Sequence, residues 1–200
     1  MIWKVTTGPT VEPLTVDDAK RHLRILHDDD NQDIQEAIKD ARDWCENYLD
    51  LAILEQTITL KLDRFPVATT IRDTTDIITL PRSNLISVTS VKYTDDDGVE
   101  QTLSTDVYGV DTTSTPGRIY RKQDQEWPTD VADERNAVEI IYKAGYGSTR
   151  SSVPPAIKRA MKLLLSHWDS NREATIIGVS AQELPLGVTS ALDKHRAYGL

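Results

Sequence analysis

The stretch from Asp30 to Leu49 constrains this chain more than any other. Ile34, Ala37, Ile38, Ala41, Trp44, Cys45, Tyr48 and Leu49 recur at the i, i+3, i+4, i+7 spacing of one helix face. Between them Gln35, Glu36, Lys39, Asp40, Arg42, Asp43, Glu46 and Asn47 are all polar. About five turns in this register give a single apolar stripe. Such a helix is not stable alone in water, so the fold must supply a surface for the stripe. The matching stripe comes more than a hundred residues later, where Ala156, Ile157, Ala160, Met161, Leu164, Leu165 and Trp168 repeat the spacing. Pro154 and Pro155 open that later helix at its first turn, where the backbone N–H groups lack helical partners anyway. It ends near Asn171. The two helices are expected to pack together, with Ile34, Ile38, Ala41, Trp44, Cys45, Tyr48, Ile157, Met161, Leu164, Leu165 and Trp168 as the core.

What lies around and between these helices sets the fold class. Met1 to Pro13 reads as extended, with Pro9 and Pro13 as breakers. Thr15-Val16-Asp17-Asp18 is a helix-start signature, predicting a short helix from Val16 to about Leu26 with Ala19, Leu23 and Leu26 inward. The acidic run from His27 to Asn31 ends that helix and is expected to cap the next, giving an αα-hairpin.

From residue 54 to 144 the pattern turns to period two. Ile58, Leu60 and Leu62 alternate with Thr57, Thr59 and Lys61, the signature of a strand. Ile77 to Leu80, Leu85 to Thr94, Val99 to Leu103, Val107 to Asp111, Arg118 to Arg121 and Ala137 to Lys143 are further strands. A bulge is expected near Ser90, and Asp97-Gly98 marks a hairpin turn. The predicted class is α+β. Residues 1–53 and 145–174 form a helical bundle core, from two N-terminal helices and one C-terminal helix. Residues 54–144 form a β-rich insertion of six or seven strands. Residues 175–200 form a separate, less periodic segment, with a short helix from Val188.

Little in the chain points to chemistry. Two hundred residues can bury a core without disulfides. The one cysteine, Cys45, lies on the apolar stripe and reads as a small buried hydrophobe. Asp28, Asp29, Asp30 and Asp33 fail the calcium-loop pattern, because Asp33 and Lys39 stand where Gly and Glu belong. His22, His27, His167 and His195 show no metal-ligand spacing. Gly145-Tyr146-Gly147 lacks a third glycine and is followed by prolines, so it reads as a joint between strand and helix. No metal, no cofactor and no catalytic residue is expected.

No apolar run spans a bilayer, so no membrane partner is expected. The net charge of −9 argues against a protein whose main task is gripping nucleic acid. Arg150, Lys158, Arg159 and Lys162 form the one basic patch of note. They read as a solvated helix face, or as a patch facing DNA or an acidic partner.

The order of motifs resembles the phage head–tail connector (adaptor) proteins. The resemblance is carried by Pro13 to Lys20 (PLTVDDAK), the Ala41-Arg42 to Tyr48 stretch, Gln56-Thr57 and Leu80-Pro81. It continues through Val88 to Tyr93, Tyr108-Gly109-Val110-Asp111, Trp127-Pro128 and Tyr142 to Gly147 (YKAGYG). Val153-Pro154-Pro155, Asn171-Arg172-Glu173 and Leu184 to Val188 (LPLGV) close it. It runs from about residue 13 to 196, and His167-Trp168 departs from the Tyr-rich helix end the family leads one to expect. The resemblance implies a structural protein at the head–tail interface of a virion, not an enzyme. It implies self-assembly into a ring, usually of twelve subunits, beneath a portal protein. The ring would extend the DNA channel without sequence-specific binding and carry a stopper or tail-completion protein. It also implies that the C-terminal segment docks on the portal, which selects Leu184, Pro185, Leu186, Val188 and Leu192. The alternative from another class is a non-viral scaffolding or regulatory module whose β block binds a protein partner.

Overall fold

A computed structural model describes residues 1–66, 76–82, 84–171 and 186–196. Among these residues the chain is a mixed α/β protein with four α-helices and two antiparallel sheets.

Helix α1 (Val16–Leu23) starts on the expected box. The Asp18 amide donates to Thr15 Oγ1 at 3.0 Å, and the Thr15 amide donates back to Asp18 Oδ2 at 3.1 Å. Two otherwise orphaned donors are thereby satisfied. Left-handed Arg24 (φ 61°) then stops the helix. Leu26 falls beyond that stop and is 96% exposed, which corrects its inward placement.

Helix α2 (Asn31–Leu49) buries Ile34, Ile38, Ala41, Cys45 and Leu49. Its N-cap, Asp30, makes no capping side-chain bond. The acidic run works differently from the expectation. Asp28 takes Lys20 Nζ at 2.5 Å and Asn31 Nδ2 at 3.3 Å, tying the turn to α1. Helix α3 (Pro155–Ser170) has proline in its first turn and buries Ile157, Ala160, Met161, Leu164 and Leu165. The two long helices pack together as their stripes require. Helix α4 (Leu186–Leu192) lies on α3 and adds Val188 and Leu192 to the same apolar cluster.

The five-stranded sheet runs in the order β1-β2-β8-β4-β5 and the three-stranded sheet in the order β3-β7-β6. The strands are β1 (Ile2–Thr7), β2 (Gln56–Leu62), β3 (Ile77–Thr79), β4 (Leu85–Thr94), β5 (Glu100–Thr102), β6 (Tyr108–Asp111), β7 (Arg118–Arg121) and β8 (Val138–Ala144). Strand β1 corrects the expected division of the chain. Residues 2–7 pair with β2 at the sheet edge, Trp3 opposite Leu60 and Val5 opposite Ile58, and do not join the helices. Register shifts in β4 fall at Leu85/Ser87 and at Val88/Ser90, the second where the broken alternation predicts a bulge. Gly98 turns the β4–β5 hairpin at φ 78°. Asp95 steadies that turn by accepting the amides of Asp97 and Val99.

A second apolar cluster is built from Ile58, Leu60, Val91, Ile119, Ile140 and Tyr142 with Phe65 stacked on Trp127. Gly145 joins β8 to the helical layer at φ 137°. A Cβ there would lie 2.5 Å from the Leu54 carbonyl, so only glycine fits this backbone crossing.

Candidate assembly surfaces and the Glu46 junction

The helical and sheet clusters meet at a buried carboxylate. Glu46 is 2% exposed, although its place among polar residues in the sequence suggests a solvated position. Its Oε1 accepts the Ile53 amide at 2.8 Å and Gln56 Nε2 at 2.5 Å. Its Oε2 accepts Arg42 Nη1 at 3.1 Å and lies 3.9 Å from Arg82 Nη1. Arg42 in turn holds Glu12 at 2.8 Å, and Arg82 bonds Asn47 and places its guanidinium 4.9 Å from the centre of the Trp3 ring. One carboxylate thus links α2, the turn into β2, the β3–β4 loop and edge strand β1. Burial raises its pKa above the usual value, outweighing the Ile53 amide, the Arg42 charge and the Gln56 donor, which pull it down. The signal in the sequence is Arg42 four residues before Glu46, an i,i+4 pair at the margin of the apolar stripe.

The residues expected to form the core divide into two groups. Ile34, Ile38, Ala41, Cys45, Ile157, Met161, Leu164 and Leu165 are buried. Trp44, Tyr48 and Trp168 are only half-buried and pack at the margin of the cluster. The buried sector of α2 turns toward Glu46 and Leu49, which leaves the two large rings at its side. Trp44 stacks on Tyr48 with centroids 5.3 Å apart. Trp44→Ala is therefore expected to cost about 1–2 kcal/mol, less than the roughly 3–5 kcal/mol of a fully buried ring. Urea unfolding of the variant beside the native chain measures the difference.

Of the expected portal-docking residues, the two whose side chains are described do not form an open surface. Leu184 and Pro185 lie outside the described residues, as does the side chain of Leu186, which opens α4. Val188 and Leu192 are fully buried. This corrects their assignment: they are four apart on one helix face, and that face is spent on the chain's own helical cluster. Tyr48 donates to Asp193 at 2.7 Å, and the Arg196 guanidinium sits 5.3 Å from the Tyr48 ring centre. These contacts hold the end of the segment to α2.

The basic residues stay on the surface. Arg150 and Arg159 are exposed, Lys158 and Lys162 half-exposed, and none forms an ion pair among the described residues.

The remaining candidates for chemistry are occupied by structure. Burial, with a smaller push from the Glu46 charge, raises the Cys45 thiol to about 12, so it is not a nucleophile at neutral pH. A cavity of about 370 Å³ lies between Phe65, Asp76, Arg121 and Trp127. There Asp76 accepts both Arg121 Nε and Trp127 Nε1, so its carboxylate braces two side chains. No group of three metal-ligating side chains occurs among the described residues, and no described helix is long and apolar enough to cross a membrane.

The described residues thus define a mixed α/β protein in which a helical layer is tied to two antiparallel sheets. The chain belongs to the head completion protein family, whose model matches residues 12–197. Three solved structures share its fold across its whole length and 97% of theirs. They are the neck of an empty gene transfer agent particle computed with C6 symmetry (TM-score 0.80, 21% identity), the virion of a native gene transfer agent particle (0.77, 20%), and the neck of a native particle computed with C12 symmetry (0.74, 21%). No curated protein matches the chain.

Proposed function

We propose that this chain is a structural head–tail connector that forms a ring at the neck of a phage-like particle. The observation that carries this reading is the family match over residues 12–197, joined to a fold shared end to end with neck proteins. The matched necks were computed with sixfold and twelvefold symmetry, which supports a closed ring for this chain and the twelve-subunit number. A ring needs two different lateral faces on each subunit, since a heterologous contact closes only by rotation. In this reading the helical layer is the core of the subunit and residues 54–144 form an excursion from it. The partners are the portal protein on one side and a stopper or tail-completion protein on the other. DNA passes through the ring without sequence recognition, and an acidic chain, at −9, suits a channel along which phosphates must slide.

Electron microscopy of purified portal complexes from the same particle, mixed with this chain, tests the proposal. The expected result is a ring of added density on the tail-facing side of the portal. Portal complexes that remain bare at saturating protein would overturn it.

A further inference from the structure

The fold leaves one cluster of charge without a use. Lys158, Arg159 and Lys162 lie on the side of α3 turned away from Ile157, Ala160, Met161 and Leu164, and Arg150 precedes them. The chain carries an excess of nine negative charges, yet none of these four cations has an acidic partner among the described residues. Cations left free in so acidic a protein point to an anionic surface on another molecule.

That surface is present on the chain itself. Asp33, Glu36, Asp40 and Asp43 are spaced three, four and three residues apart, so they share one side of α2. All four are exposed; Glu36, Asp40 and Asp43 lie opposite Ile34, Ile38, Ala41 and Cys45, and Asp33 sits at the margin of that side, beside the groove lined by Ile34, Ala37 and Leu165. Among the described residues only Asp43 has a cation, Arg42 at 2.7 Å, and Lys39 is the lone basic residue beside the stripe. The stripe is about 15 Å long. Helices α2 and α3 pack through their apolar sides, so their charged sides look outward in broadly opposite directions. Within one molecule the two patches cannot meet. Between two copies related by rotation they can, and the contact is head-to-tail by construction.

We propose that the basic side of α3, centred on Arg159 and Lys162, docks on the Asp33–Glu36–Asp40–Asp43 stripe of the next copy. This inference rests on the ring reading above and names the two faces that close the ring. The charges fix which face meets which and reject like-with-like pairing. A DNA phosphate backbone is the rival occupant of the basic side. The chain's own acidic stripe favours the second copy, because it is a complement neutralised only at Asp43 among the described residues and carried at one per subunit.

Charge reversal tests the contact, read as ring density on purified portal complexes and as apparent affinity. Arg159→Glu with Lys162→Glu, and separately Glu36→Lys with Asp40→Lys, should each weaken ring formation about tenfold or more. The chain carrying all four substitutions should recover it. Circular dichroism melts should match the native chain, since these side chains are on the surface. As a second readout, Asp40→Cys combined with Arg159→Cys should give a ladder of covalent multimers with a bis-maleimide, to which buried Cys45 does not contribute. Rings that survive both reversals, or reversals that are not rescued in combination, overturn this interface while leaving the connector reading intact. Rings that persist while reversal on α3 abolishes binding of added duplex DNA assign the patch to phosphate and also overturn it. Failure of the native chain to form density on the portal overturns the connector reading itself.

Discussion

Glu46→Ala is expected to lower the free energy of unfolding by about 3–5 kcal/mol, as measured in urea at neutral pH. The substitution does more than delete a side chain. It leaves the Ile53 amide, Gln56 Nε2 and part of the Arg42 guanidinium without their acceptor in a space that excludes water. Among the described residues Arg82 Nε is already buried without a partner, so this corner has little spare capacity for a further orphan. Glu46→Gln should cost far less, about 1–2 kcal/mol, because the amide oxygen still accepts the Ile53 N–H and desolvating a neutral group is cheaper.

The pH dependence separates the native chain from both variants, neither of which titrates at this position. The folded pKa of Glu46 is raised above 4.5 chiefly by burial. Stability from this group is therefore full below the unfolded value near 4.5 and declines as pH rises through the folded value. In Glu46→Gln that decline should vanish, so the stability gap between the native chain and the variant should change with pH across this window. A gap that stays flat from pH 4 upward would show that the site does not resist the charge.

The helical stripes were legible in the sequence because periodicity reports burial directly. Ile34, Ile38, Ala41 and Cys45 on one helix and Ile157, Met161, Leu164 and Leu165 on the other could be paired across more than a hundred residues without coordinates. The capping box at Thr15 and the β4 bulge near Ser90 were legible for the same kind of reason: each leaves a local mark. Glu46 was not, since a charged residue in a polar register looks the same whether solvent or Gln56 and Arg82 receive it. Arg42 four residues earlier leaves only an ordinary i,i+4 mark, whereas Gln56 and Arg82 are ten and thirty-six positions away, and only the fold brings them to it. Trp44 misled through its size, because a large ring at the stripe's margin counts toward periodicity as fully as a buried one. Strand β1 is short and pairs with a segment fifty residues on, so its extended pattern carried no sign of where it belongs. The faces open to partners followed the same rule: Arg159 and Lys162 were visible as a basic run, but their freedom from ion pairs is a property of the folded surface.

A chain ending at residue 185 is expected to lose about 3–6 kcal/mol of stability through the removal of Val188 and Leu192, both fully buried, from the helical cluster. In a protein of this length that is a fall in Tm on the order of 10 °C, with new apolar surface on α3 detectable by dye binding. The loss of the Tyr48–Asp193 bond and the Arg196 contact adds to it. The sequence together with its family resemblance argued for another outcome. Weak periodicity after Thr175 reads as an arm kept free to dock on a partner, whose removal would spare the fold and abolish seating on the portal. The two mechanisms differ in one measurement made before any portal is added. If the helix is core, the truncated chain melts early in isolation, and its failure to seat follows from that. If its Tm matches the full chain while seating is lost, the segment is a docking arm and the buried positions of Val188 and Leu192 do not support the fold. A side-chain test sharpens the choice: Leu192→Ala should alone cost about 2–5 kcal/mol, since a leucine truncated inside a packed cluster leaves a cavity its neighbours only partly fill.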